Sequence, residues 1–98
     1  MVDIRLAAAA FADLDQIDEY GATIFGKDRA DQYSRGFSNV FDRLRRYPRS
    51  GPARPELGDG IRSVSYGQHQ VYYLVEERWV QILRIIHHSR EVQDSDLP

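Results

Sequence analysis

Val2, Ile4 and Leu6 alternate with Asp3 and Arg5 in the opening "VDIRL", and a period of two predicts a short strand with one apolar face. The period then lengthens. Between Ala7 and Phe25, residues Phe11, Leu14, Ile17, Gly21, Ile24 and Phe25 recur at steps of three and four, with Asp13, Asp15, Asp18 and Glu19 between them. That pattern predicts an amphipathic helix, and Gly26 is placed to stop it. Asp28 is a candidate cap for a second helix, whose apolar stripe is Ala30, Tyr33, Phe37, Val40, Phe41, Leu44 and Tyr47, ending at Pro48. With about three residues between them, two such helices are expected to form an antiparallel hairpin.

The segment "PRSGPARPELGDG" carries three prolines and three glycines, a density of breakers that predicts neither helix nor strand. The period of two returns in "IRSVSY", "HQVYYLVE" and "WVQILRII", separated by Gly67-Gln68 and Glu77-Arg78 as turns. "VYYLV" is apolar on both faces and is expected in the middle of the sheet. In the last strand, alternation predicts Leu83, Ile85 and His87 on one face and Arg84, Ile86 and His88 on the other. The resulting order is β-α-α-β-β-β, an α+β fold with a helical hairpin on one face of a mainly antiparallel sheet.

The chain has 98 residues, enough for one domain that buries about 60–65% of its unfolded surface and leans on a partner for stability. A polar tail is expected from about residue 90, with "QDSDLP" disordered. The absence of cysteine excludes disulfides and thiolate chemistry. "MVDIRLAAAA" has no basic stretch leading into a long apolar run, so no secretory leader is expected. No apolar window approaches membrane-spanning length, and the expected compartment is the cytoplasm.

Charge adds a local feature. The net value of −2 conceals eight acids against four bases in Met1–Asp42 and six arginines against two acids in Arg43–Arg62. Twelve of the thirteen cationic residues are arginine, which pairs bidentately with carboxylates and phosphates. An arginine-rich genome gives the same bias without a functional cause. A positive middle in a slightly acidic protein points to a local anionic contact and not to general nucleic-acid binding.

The candidate chemistry is concentrated in "RIIHHSRE". His87 and His88 project oppositely from a regular strand, and no third ligand accompanies them, so no metal site or other cofactor is expected. Arg84 and His88 with Arg62 of a neighbouring strand have the groups for RNA cleavage, imidazole for proton transfer and guanidinium for the phosphorane-like charge. The alternative is structural: Arg84 paired with a carboxylate such as Glu56 or Asp59, and His88 at a solvated strand end.

"DLDQIDEY", "ADQYSRGFSNVFDRLRRYPRSG", "RPELGDGIRS", "HQVYYLV" and "VQILRIIHHSRE", in that order, resemble the ParE branch of the RelE/ParE toxin superfamily over nearly the whole chain. The resemblance implies the fold derived above and a bacterial toxin encoded beside an antitoxin. RelE-like members cleave messenger RNA on the ribosome, whereas ParE-like members act on DNA gyrase without a recognised nuclease constellation. Several nucleases carry arginine after the central-strand histidine, where this chain has Gln70 after His69, and a His-Tyr pair where it has His87-His88. The only lysine, Lys27, lies in the helical turn, excluding a lysine-based mechanism.

A ParE-like protein binding and inhibiting gyrase, neutralised by a ParD-like antitoxin, is therefore the expectation, with DNA contacted only through the antitoxin. The alternatives are a ribosome-dependent endoribonuclease using Arg62, Arg84, His87 or His88, and a non-toxic antitoxin-binding remnant. An antitoxin segment that folds on the toxin would lay apolar anchors along Leu14, Ile17, Phe37, Phe41 and Leu44, with acids on a rim of Arg43, Arg46 and Arg49. Arg54, Arg62 and Arg90 are the candidates for target contact.

Overall fold

A computed structural model describes residues 1–97. Strand β1 (Asp3–Leu6) is followed by helices α1 (Ala8–Phe25) and α2 (Lys27–Arg46), then by strands β2 (Ile61–Tyr66), β3 (His69–Val75) and β4 (Trp79–His87). The sheet order is β1-β4-β3-β2. β1 runs parallel to β4, and the other pairs are antiparallel. The expected α+β architecture and the interior position of "VYYLV" are both present.

The helices meet more tightly than the sequence predicts. A single residue, Gly26, both ends α1 and caps α2. Its φ of 91° lies where a side chain is strained. Asp28, the expected cap, sits instead inside the first turn and makes no capping bond. There its charge still favours the positive helix end.

Both helices cover one face of the sheet. Ala10 of α1 and Phe37, Val40 and Leu44 of α2 pack on Val64, Val71, Tyr73, Val80, Ile82 and Ile85. The stripe of α2 is buried much as predicted, except that Tyr47 is exposed. Along α1, Leu14 and Ile17 pack against the core as predicted, whereas Phe11, Ile24 and Phe25 are exposed and Asp13 is buried at 8% relative exposure.

The second sheet face has its own apolar cluster of Ile61, Tyr72, Leu83, Ile86 and Leu97, flanked by Leu57, Leu74 and Val92. Two departures from the sequence reading build it. Tyr72 pairs with Arg84 and Tyr73 with Ile82, so Leu83 forms a bulge and turns onto this face with Ile86, away from Ile85. The tail expected to be disordered packs here, with Leu97 buried. Asp96 fixes the short turn Asp94–Asp96 by accepting a hydrogen bond from the Gln93 N–H at 2.8 Å. Pro98 lies outside the described residues.

The breaker-rich loop is ordered as well. It holds a single helical turn at Pro55–Leu57 and an antiparallel bridge between Ala53 and Arg62. That bridge covers the outer edge of β2, which would otherwise offer unpaired backbone groups.

Candidate functional site

Arg84 lies on β4 beside the bulge, and its guanidinium reaches under α1. Nε and Nη2 donate to the two carboxylate oxygens of Asp13 at 2.7 and 3.0 Å, the bidentate geometry that suits arginine. The Ile85 N–H adds a third bond to Asp13 at 2.9 Å. Nη1 reaches Asp96 on the tail, at 3.3 Å from its carbonyl and 3.4 Å from its carboxylate. Arg90 donates to the same carboxylate. The partner of Arg84 is thus Asp13 with Asp96, neither Glu56 nor Asp59, and its donors are committed to protein. A buried pair of this kind owes its place to complete hydrogen bonding, because each charge alone would be costly to desolvate.

Arg62 is two strands away from Arg84, with β3 between them, a separation of about 10 Å at usual strand spacing. The two arginines therefore do not stand on adjacent strands, as the nuclease reading had them. Nη1 of Arg62 donates to the carbonyls of Gly51 at 2.8 Å and Arg49 at 3.3 Å. The Gly51 N–H donates in turn to the Tyr73 hydroxyl at 3.0 Å. These bonds hold the exit of α2 against the sheet. Arg54 pairs with Glu56 at 2.9 Å and donates to Ser63 at 3.0 Å.

The three histidines occupy different settings. His69 is half-buried against Phe37 and Tyr33, and its Nδ1 shares a 2.6 Å hydrogen bond with the Tyr33 hydroxyl. Burial, reinforced by His87 and His88, lowers its pKa from 6.5 to about 4, so it is neutral at neutral pH. His87 is exposed, stands edge-on to His69 at 5.2 Å between centroids, and contacts Ser89 at 2.8 Å. His88 lies beside Gln70, with Nε2 at 3.2 Å from its carbonyl oxygen. Gln70 in turn bonds Ser63 and Ser65.

The aromatic setting depends on Gly36. A Cβ there would fall 1.7 Å from the Tyr66 hydroxyl, which crosses α2 to donate to the Tyr33 carbonyl at 2.8 Å. Tyr33, His69 and Asp13 are the positioned polar residues that the sequence reading missed. For Asp13 a signal existed: it occupies an inward step between Ala10 and Ile17.

The remaining candidates divide by burial. Phe37 and Leu44 are core and line no open groove, while Leu14, Ile17 and Phe41 are half-buried against that core. Arg43, Arg46 and Arg49 are exposed. On α1, Phe11, Tyr20, Ile24 and Phe25 are each more than half exposed, with only Tyr20 and Ile24 one turn apart on the same side.

A family model for the ParE toxin of the type II toxin–antitoxin system parDE matches residues 4–92. Toxin ParE1 of Mycobacterium tuberculosis is 34% identical over 88 residues, covering 89% of this chain and 90% of the relative. Toxin ParE1 of Caulobacter vibrioides is 34% identical over 89 residues, covering 91% and 92%. Among solved structures, a chain of the chromosomal ParDE system from P. aeruginosa superposes with a TM-score of 0.76 at 24% identity, covering 89% of this chain and 96% of that one. A chain of the toxin–antitoxin complex RelBE2 from Mycobacterium tuberculosis gives 0.58 at 25% identity, covering 89% and 98%.

Proposed function

Because the chain belongs to the ParE toxin family of type II toxin–antitoxin systems, we propose that it acts by binding: it holds DNA gyrase in one conformational state and makes or breaks no bond. It is a ParE-type toxin with an antitoxin partner, which we take to be ParD-like. DNA is reached only through that antitoxin, and the site of action is the cytoplasm. No helix among the described residues is long and apolar enough to cross a membrane.

The observation that carries a non-enzymatic mechanism is the commitment of Arg84. Its guanidinium is bound by Asp13 and Asp96, so it is not presented to a phosphate. Holding a conformational state requires only better affinity for that state than for others, which an ordered surface supplies. Exposed Tyr20 and Ile24, one turn apart on α1, support the antitoxin reading, because segments that fold on a partner bury such side chains.

One observation favours a second reading. His87 and His88 are solvent-exposed at a strand end, where imidazoles are accessible for proton transfer. A supercoiling assay with purified gyrase separates the two. Inhibition that persists in the His87→Ala/His88→Ala variant is the expected result. Unimpaired supercoiling, with messenger RNA cut on ribosomes and the cutting abolished in that variant, would replace binding by cleavage. If neither activity were present, the chain would be an antitoxin-binding remnant.

A further inference from the structure

The two edges of the sheet are finished differently. The outer edge of β2 is covered by the bridge between Ala53 and Arg62. The other edge is β1, which pairs only with β4. Along β1 the backbone groups alternate in direction. The N–H groups of Asp3 and Ala7 donate to the carbonyls of Arg78 and Ile82, at 3.2 and 2.9 Å, so the odd-numbered residues face β4 and the even-numbered ones face away. Val2 follows the rule, donating outward to the Arg45 carbonyl at 3.2 Å. Ile4 and Leu6 are left over. Among the described residues, no loop or side chain takes up their N–H groups.

The side chains of β1 alternate too. Ile4 and Leu6 pack toward the helices, which places Asp3 and Arg5 on the opposite face. Both are exposed, and neither makes an ion pair among the described residues. Arg5 lies over the Trp79 ring at 4.0 Å, a stack that limits the freedom of its side chain.

We propose that β1 pairs antiparallel with β1 of a second copy of this chain, extending the sheet across a two-fold axis at Ile4. The segment "DIR" is complementary to itself when reversed. Asp3 then stands opposite Arg5 of the second copy, and Arg5 opposite its Asp3, at positions where Cα atoms approach to about 4.5 Å. The two Ile4 residues exchange N–H and C=O groups, and each Leu6 N–H reaches the Val2 carbonyl across the axis. Sliding the strands by two residues in either direction puts Asp3 opposite Asp3 or Arg5 opposite Arg5, so charge selects one register. A strand of another protein would need this same spacing of charges, whereas a second copy supplies it by symmetry. An edge this short falls in the class of interfaces below about 1,200 Å², whose association is weak.

The test is sedimentation velocity of the full chain from about 1 µM to 1 mM, a range that covers weak dimers. The wild type is expected to pass from monomer to dimer across it, and to dimerise less at high salt. Asp3→Arg and Arg5→Asp each set like charges opposite one another, and each alone should dimerise about 10-fold more weakly. An equimolar mixture of the two variants should recover association, because one copy then carries two arginines and the other two aspartates at the facing positions. Circular dichroism checks that each variant is folded, and recovery in the mixture separates loss of pairing from misfolding. A wild type that stayed monomeric throughout would overturn self-pairing and leave the edge to a strand of another protein. Single variants that dimerised like the wild type, or a mixture that recovered nothing, would overturn the assignment to β1.

Discussion

Arg84 and Arg46 present the same guanidinium group in opposite circumstances. The side chain of Arg84 is about one-fifth exposed and shares Asp13 and Asp96 across 71 and 12 residues of sequence. Arg46 is exposed at the end of α2 and makes no ion pair among the described residues. The first ties α1, β4 and the tail into one body. The second is positioned to meet something outside it. Exposed charge without an internal partner contributes little to stability, whereas buried charge must be satisfied internally.

The largest effect should come from breaking the inner pair. Asp13→Ala leaves Arg84 with an uncompensated charge beneath α1 and is expected to cost about 3–5 kcal/mol, read by urea denaturation. A loss below about 1 kcal/mol would mean that the pair is not buried in solution. Next, Leu97→Ala removes the anchor of the tail from the second sheet face and should cost about 1.5–3 kcal/mol. Hydrogen exchange of the same variant should be faster in Val92–Leu97 if that anchor holds the tail.

A pH titration sharpens the comparison further. His69 is neutral in the fold, with its pKa lowered from 6.5 to about 4 by burial and by the other two histidines. The unfolded chain binds the proton first, so stability is complete above pH 6.5 and falls as pH drops toward 4. Because the imidazole is only half-buried, the expected loss is about 1–2 kcal/mol after solvent screening. His69→Gln should flatten the stability profile in that window. The smallest effect is that of Arg46→Ala, within about 0.5 kcal/mol of wild type by thermal unfolding. A larger loss would give Arg46 a structural role and blur its contrast with Arg84.

Local periodicity made the order of elements legible, because strands and helices each bury one face of their own repeat. Charge counting separately marked Arg43–Arg62 as positive, with six arginines against two acids. Periodicity failed where a residue's environment is set from far away. Asp13 is an acid on an inward helical step, and its burial depends on Arg84 arriving from the last strand. Without that partner in view, the predicted apolar face of α1 includes Phe11, Ile24 and Phe25, which are exposed, beside Leu14 and Ile17, which do pack on the core. The tail misled for a related reason. "QDSDLP" is polar in composition, yet one leucine anchor and one carboxylate that accepts the Gln93 N–H and two arginines suffice to order it. Leu83 required knowledge of the bulge, which depends on the register between β3 and β4 and not on alternation within β4. For the site candidates, sequence showed which residues could do chemistry, while geometry showed which were already committed.

The central claim is that this toxin acts by binding gyrase and not by cutting RNA. It is tested most directly by inducing the chain in bacteria and following labelled thymidine and methionine incorporation side by side. Early loss of thymidine incorporation, with filamentous cells and translation initially intact, is the result expected. Immediate loss of methionine incorporation, with DNA synthesis continuing, would contradict it.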